Sequence, residues 1–146
     1  MAMNGGSALL TGAGDLGTMT AAHLVKPDHL AMARAFVFVC PENLGAMSGM
    51  MKDMFDRCYY PLLDRLAGRA YATAIAAGSA GQGAEAQIDR IATGWRLRRV
   101  AESLIVNLAA QTPEAILAAK TVAASDLSRC HELGKAIAEG LRLGIF

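Results

Sequence analysis

The sequence predicts an α/β fold in which a parallel sheet carries helices on both faces. Three short apolar runs have the composition of buried strands: residues 35–40, 71–77 and 100–107. Helical spacing of apolar residues marks the segments that follow the strands: residues 48–60, 83–96 and 125–141. Strands that alternate with helices form parallel sheets with right-handed crossovers, which gives the predicted class.

The first of these strands leads into the most informative segment of the chain. Pro41 cannot donate a hydrogen bond to a neighbouring strand, so we expect the strand to stop there. A loop with two glycines follows, and an amphipathic helix begins near Ser48. Free backbone N–H groups at the carboxyl edge of a sheet bind flat or anionic ligands, and this loop is therefore a candidate ligand site.

The later elements follow from their termini and apolar faces. Pro61 is expected to interrupt the helix that begins near Ser48, and Thr112 is a good N-cap with Pro113 as the first helical residue. Leucines at 62, 63 and 66 continue a hydrophobic face. The last helix is predicted to carry four residues inward: Leu127, Cys130, Ile137 and Leu141.

Several motifs along the chain resemble one known family. They are Pro41-Glu42-Asn43, Met47-Ser48-Gly49, Lys52 with Asp56-Arg57, Gly68-Arg69 and the loop at 78–83. In this order, over residues 28–146, they resemble the flavodoxin-like NAD(P)H-dependent FMN and quinone reductases. The alternative is a simple strand–loop–helix packing unit without a ligand.

The resemblance implies a three-layer flavodoxin-like fold with FMN as cofactor and NAD(P)H as reductant. Two loops would embrace the isoalloxazine ring, and the implied cofactor-binding residues are Pro41, Glu42, Asn43, Leu44, Gly45, Ala46, Met47, Ser48, Gly78, Ser79, Gly81 and Gly83. No catalytic side chain is expected, because a flavin carries the hydride itself. Electrons would pass to a quinone, another flavin or a redox protein. The alternative is that both loops are ordinary βα turns.

The front of the chain departs from the family pattern. Residues 7–10 form a short candidate strand, and residues 19–25 suit either a helix or a strand. Residues 27–32 are expected to form a short helical turn. No second strand can be separated from a first helix, so the front βαβ unit is expected to be shortened. The phosphate loop is then either compressed and rebuilt, or the chain is a degenerate flavodoxin. We expect one domain over residues 1–146, with an atypical, flexible segment at 1–27.

Gly12, Gly14 and Gly17 satisfy the G-x-G-x-x-G fingerprint of dinucleotide-binding proteins. The preceding strand is short, and no carboxylate ends a second strand about 20 residues further on. A flexible glycine-rich segment is the favoured interpretation, and a dinucleotide-binding module is the alternative.

Composition excludes several function classes. A net charge of +1 without a basic run gives no support for nucleic-acid binding. No apolar stretch is long enough for a membrane span and no secretory signal is evident, so a cytoplasmic location is expected. The three cysteines are expected to be buried thiols, and the three scattered histidines predict no metal site. A hydrophobic content of 53% favours a homo-oligomer.

These observations favour an NAD(P)H-dependent FMN/quinone reductase over a degenerate flavodoxin-fold binding or interaction module without flavin. Arg96, Arg98 and Arg99 precede the last strand. A solvated strand edge is favoured there over a docking site for the NADPH phosphate.

Overall fold

The computed structural model describes residues 8–11 and 18–146, with side chains from residue 18 onward. The strands of this part are β1 (Ala8–Thr11), β2 (Thr18–Ala21), β3 (Ala35–Asn43), β4 (Ala46–Met47), β5 (Ala70–Ala77), β6 (Arg98–Arg99) and β7 (Leu104–Asn107). The α-helices are α1 (Pro27–Met32), α2 (Gly49–Tyr59), α3 (Gln82–Gly94), α4 (Pro113–Leu117) and α5 (Ala124–Arg142).

The strands form one mixed sheet in the order β2–β1–β3–β5, and both β6 and β7 pair with β5. The pairings of β3, β6 and β7 with β5 are parallel, and β3 and β5 stay in register from Ala35 opposite Ala70 to Pro41 opposite Ala76. The α/β class with a largely parallel central sheet and helices on both faces is therefore confirmed.

The prediction of parallel strands is wrong for the front of the sheet. β1 is antiparallel to β3, with Ala8 opposite Val39 and Thr11 opposite Phe36, and β2 is antiparallel to β1. The chain between Thr11 and Thr18 is too short for a parallel crossover, which needs a dozen or more residues, whereas an antiparallel pair needs only a short connection. The fingerprint glycines Gly12, Gly14 and Gly17 lie outside the described residues.

Two helices cover one face of the sheet. Phe36 and Phe38 of β3 are fully buried beneath α2 and α3. The ring of Phe38 lies 5.1 Å from the ring of Phe55 on α2, and Phe55 makes an edge contact with Trp95 at 5.3 Å. This aromatic cluster fixes α2 and α3 over β3 and β5, and thereby places the starts of both helices at the carboxyl edge.

The opposite face is covered by α5. Ile137 is buried against small or β-branched residues of the two central strands: Ala35, Val37, Ala70 and Ala72. Leu133 and Leu141 complete this contact. The prediction that Leu127 points inward is wrong, because 54% of it is exposed. It lies about one turn before Cys130, in the first part of α5, which borders the cleft described below and precedes the part that packs on the sheet.

Two strand boundaries differ from the prediction. β3 does not stop at Pro41 but continues to Asn43, because Pro41 keeps its place opposite Ala76 of β5, and Glu42 and Asn43 pair with β4. The expected strand at 100–107 forms only from Leu104 as β7, while β6 lies before it at Arg98–Arg99, because four residues, 100–103, stand opposite only two of β5, at 72–73. This excess of two residues breaks the ladder.

The segment that precedes β3 is held by two arginines of the motifs. Arg57 of α2 donates to the carbonyls of Val25 at 2.7 Å and Ala22 at 3.0 Å. Arg69 donates through Nη1 to three carbonyls around the end of α1: Leu30 (2.8 Å), Ala31 (2.9 Å) and Ala33 (2.7 Å). Both motif arginines therefore have a structural role.

Three smaller predictions have mixed outcomes. Lys52 and Asp56 form the expected pair on the surface of α2 at 2.7 Å. Thr112 caps α4 as predicted, accepting a hydrogen bond from the Ala115 amide at 3.2 Å. Leu63 does not continue the buried face as predicted but is exposed, because the chain leaves helical geometry after the 3₁₀ turn at Tyr60–Leu62.

Candidate functional site

The candidate site is a cleft of about 670 Å³ at the carboxyl ends of β3, β5 and β7. Its lining is mostly apolar and includes much backbone. The lining residues are Val39, Cys40, Pro41, Glu42, Asn43, Leu44, Gly45, Ala74, Ile75, Ala76, Ala77, Gly78, Ser79, Val106, Leu108, Ala110, Ile116, Lys120 and Cys130. Neighbouring parallel strands end at the same edge, which brings the two predicted loops to one site.

The cleft extends onto the face of the sheet that α5 covers. Ala74 and Ala76 of β5 alternate in phase with Ala70 and Ala72, which pack toward α5. Their methyl groups form a shallow floor between Val39 and other lining side chains. Small side chains on two adjacent residues of one face leave room for a flat ligand close to the backbone.

A tight hairpin forms one wall of the cleft. Asn43 pairs with Ala46, and the two residues between them have positive φ angles, 53° at Leu44 and 71° at Gly45. Two consecutive positive φ angles define a type I′ turn, in which leucine is unusual. Leu44 is fully exposed at the tip of this turn. The wall therefore presents a strained apolar residue at the mouth of the cleft.

Helix α3 holds this hairpin in place. The carboxylate of Glu42 accepts hydrogen bonds from the amides of Gly81 at 2.9 Å and Ala84 at 3.0 Å, at the start of α3. The Met47 amide donates to Oε1 of Gln87, also on α3, at 2.9 Å. Glu42 thus caps the helix and neutralises its positive end, which positions the hairpin without placing a free carboxylate in the cleft.

Gly83 is required by the close approach of the hairpin to α3. A Cβ at this position would lie 2.0 Å from the carbonyl oxygen of Gly45. This distance is far below a van der Waals contact, and the neighbouring atom is backbone that has little freedom to move. The two predicted loops therefore touch each other directly at Gly83 and Gly45.

The loop after β5 forms a second wall and is held by the loop after β7. The Ala110 amide donates to the Gly78 carbonyl at 2.8 Å, and Asn107 donates from Nδ2 to the Ser79 carbonyl. Gly81 has a φ of 95°, and a Cβ there would lie 2.7 Å from Ile105. These contacts fix the backbone of both loops before any ligand binds.

The structure brings together part of the predicted cofactor-binding set. Residues lining the cleft are Pro41, Glu42, Asn43, Leu44, Gly45, Gly78 and Ser79. The other five are not among the lining residues: Ala46, Met47, Ser48, Gly81 and Gly83. Ser48 is buried and caps α2 through its side chain, which accepts from the Met51 amide at 3.3 Å. The binding role of the whole set stays a prediction.

Sequence reasoning missed the third wall of the cleft. It consists of residues on the chain after β7 and on α5: Leu108, Ala110, Ile116, Lys120 and Cys130. The helix start at Thr112-Pro113 is visible in the sequence and places this connection at the carboxyl edge of β7. No motif marks the individual residues, because they meet the cleft only through tertiary contacts, such as the hydrogen bond from the Ala110 amide to the Gly78 carbonyl.

The thiols of the cleft are poorly suited to nucleophilic chemistry. Burial raises the pKa of the Cys40 thiol to about 11, and burial also raises the pKa of Cys130. Both thiols are therefore neutral near pH 7. Within the described chain, no group of three or more His, Cys, Asp or Glu residues is placed to hold a metal ion. The site thus depends on shape, backbone and one lysine.

The arginines before β7 lie away from the cleft. Arg98 and Arg99 pair with Ala70 and Tyr71 at the amino end of β5, the edge opposite the cleft. Arg99 forms ion pairs with Glu85 at 3.0 Å and with Asp89 at 3.2 Å. This placement agrees with a strand edge and separates these residues from the cleft.

No described helix combines the length and apolarity needed to cross a membrane. No curated protein matches the sequence. A solved structure of a flavodoxin from the domain Archaea matches with a TM-score of 0.62 and 19% identity, covering 83% of this chain and 74% of that chain. This likeness shows the flavodoxin-like fold.

A family model described as NADPH-dependent FMN reductase matches residues 27–111, which is more than half of the 146-residue chain. The match includes β3, the hairpin, α2, β5, α3 and β7. It confirms the resemblance inferred from the motifs, and FMN is the cofactor named in the family description. The chain therefore belongs to the NADPH-dependent FMN reductase family, a family of flavin-binding oxidoreductases.

Proposed function

We propose that the protein is an FMN-binding oxidoreductase that passes electrons from NAD(P)H to a quinone, a flavin or a redox protein. The observation that carries this proposal is the apolar cleft at the carboxyl edge of β3, β5 and β7, built between the two loops of the family motifs. Bound FMN would supply the hydride and electron chemistry, for which no acid–base pair of side chains is needed.

The cleft fits a flavin in size and character. Its volume of about 670 Å³ lies within the roughly 300–1,000 Å³ of small-molecule sites. Ala74 and Ala76 provide a flat floor, while the hairpin and the Gly78-Ser79 loop provide backbone walls. The neutral Cys40 and Cys130 thiols leave the interior without a reactive thiolate. In this proposal, the chain orients the ring and excludes water from one of its faces.

The proposal is tested by incubating the purified protein with excess FMN, removing unbound FMN and recording the visible spectrum. We expect flavin absorbance to remain with the protein and to bleach when NAD(P)H is added without oxygen. An Ala76→Leu variant should retain much less FMN, because the added side chain occupies the floor of the cleft. Ala86→Leu, on an exposed part of α3, is the matched control. Absence of retained FMN at micromolar concentrations would refute the proposal.

A second candidate is a flavodoxin-fold binding or interaction module without flavin. The antiparallel hairpin of β1 and β2 favours it, because the family's front strand–loop–helix unit is not built in the described residues. The same spectra distinguish the candidates. A protein that holds FMN and never bleaches with NAD(P)H would be an electron carrier, and a colourless protein would be an interaction module.

We further propose a single domain over residues 1–146, a homo-oligomer and a cytoplasmic location. Support for self-association comes from the 53% hydrophobic content and from exposed apolar side chains on the front segment: Met19, Leu24 and Met32. All three cysteines are free thiols, and free thiols are the usual state in a reducing compartment. A monomer mass in multi-angle light scattering would refute the homo-oligomer.

A further inference from the structure

One ammonium group stands at the cleft without a counter-ion. Lys120 is the single lysine or arginine among the lining residues, and Glu42 is the single carboxylate. Glu42 is already engaged by the amides of Gly81 and Ala84. In the described part of the chain, Lys120 takes part in no ion pair. The two formal charges cancel in sum, but the Glu42 carboxylate is engaged at the start of α3, so Lys120 is the charged group of the lining that is left for an anion.

The position of this ammonium is fixed by backbone carbonyls. Nζ of Lys120 donates to the carbonyl of Ile116 at 2.8 Å and to that of Ala118 at 2.5 Å. An ammonium has three donors, so one remains for a further acceptor. Ile116 itself lines the cleft, and this anchoring keeps the charge at the cleft wall. A group held in this way loses little conformational freedom when an anion binds.

We propose that Lys120 binds the phosphoryl group of the ligand in this cleft. This inference rests on the proposed function and names the residue that would recognise the anionic end of the ligand. The direction of β1 supports a phosphoryl-binding site at the Lys120 wall of the cleft. Thr11, where β1 ends, lies opposite Phe36 near the amino end of β3, so the chain leaves β1 at the edge away from the cleft. Lys120 lies beyond residues 27–111, which the family model matches.

The phosphoryl group has two sources, FMN and the nicotinamide nucleotide, and the experiment separates them. The equilibrium dissociation constants of FMN and riboflavin are measured by fluorescence titration, because the two ligands share the ring and differ in the phosphate. NADPH binding is then measured on the FMN-loaded protein. The variants are Lys120→Met, Lys120→Arg and, as a matched control, Lys135→Met on the exposed surface of α5.

We expect the native protein and Lys135→Met to prefer FMN over riboflavin by roughly tenfold or more, the value of one hydrogen bond to a charged group. Lys120→Met should reduce this ratio to near one, and Lys120→Arg should restore part of it. Added salt should weaken FMN binding in the native protein and leave riboflavin binding unchanged, because only the charged contact is screened.

Each outcome decides the inference. An unchanged FMN-to-riboflavin ratio with weaker NADPH binding in Lys120→Met supports the lysine and assigns it to the nicotinamide nucleotide. Unchanged binding of both phosphorylated ligands overturns the role of Lys120 while flavin binding stands. Absence of binding for FMN and riboflavin alike overturns the proposed function and this inference together. Circular dichroism of each variant confirms that it is folded.

Discussion

Removal of the Glu42 carboxylate should loosen the hairpin wall of the cleft and destabilise the protein. Glu42 joins β3 to the start of α3 through its hydrogen bonds to the Gly81 and Ala84 amides, at 2.9 and 3.0 Å. The variant Glu42→Ala leaves both amides without this partner and removes a negative charge from a helix N-terminus. Glu42→Gln keeps the shape and one acceptor oxygen but loses the charge.

The expected magnitude follows from these contacts. A hydrogen bond to a charged group contributes about 1.5–3 kcal/mol, and a charge at a helix end contributes about 0.3–2 kcal/mol. These contributions overlap, because the same atoms make them. We therefore expect Glu42→Ala to lower the free energy of unfolding by about 2–4 kcal/mol and Glu42→Gln by about 1–2 kcal/mol. A loss of 1 kcal/mol corresponds to about 2–4 °C in Tm for a chain of this size.

The assay is chemical denaturation followed by the fluorescence of Trp95, which lies in the aromatic cluster beneath α2 and α3. Glu132→Gln, on the exposed surface of α5, is the matched control and should change stability by less than about 0.5 kcal/mol. FMN affinity should fall in Glu42→Ala and stay unchanged in the control. Stability of Glu42→Ala within about 0.5 kcal/mol of the native value would refute the reasoning.

Three further predictions follow from the packing and titration of particular residues. Gly83→Ala should lower the free energy of unfolding by about 1–3 kcal/mol, because its Cβ would meet the Gly45 carbonyl at 2.0 Å. Gly134→Ala on α5, where a Cβ meets open space, should instead raise the free energy of unfolding by up to about 1 kcal/mol. A change of the same sign in both variants would contradict the steric role of Gly83. Arg69→Ala should cost about 1.5–3 kcal/mol in the same denaturation assay, against no measurable cost for exposed Arg90→Ala. Burial raises the pKa of Cys40 from 9.0 to about 11, so the stability that its neutral thiol contributes is complete below pH 9 and is lost as the pH rises to 11. Between pH 9 and pH 11, the free energy of unfolding should fall more steeply in the native protein than in Cys40→Ala, by about 1.4 kcal/mol per pH unit. Parallel curves for the two proteins would contradict this role of the Cys40 thiol.

The sequence carried enough information to predict the central sheet and its helices. Apolar runs of β-branched, aromatic and alanine residues marked β3 and β5, and Ser48 and Thr112 marked helix starts that the structure confirms. These signals are local, so one sequence suffices to find them. The direction of β1 is not a local property. It depends on the short connection between β1 and β2 and on which strand of the sheet has an edge free to pair with β1.

The candidate site was predicted only in part, for the same reason. The two cleft-lining segments at 41–45 and 78–79 could be located because they coincide with the motifs and glycines of the sequence. The capping role of Glu42 depends on α3, some 40 residues later, and the contribution of Lys120 depends on how the segment after β7 folds back to the cleft. Such long-range contacts leave no periodic pattern in the sequence.

The most direct test of the central claim is the visible spectrum of the FMN-treated protein after removal of unbound FMN, followed by anaerobic addition of NADPH. We expect flavin absorbance to stay with the native protein, to fall strongly in Ala76→Leu and to bleach with NADPH. A folded protein that remains colourless under these conditions would contradict the claim that this cleft binds flavin.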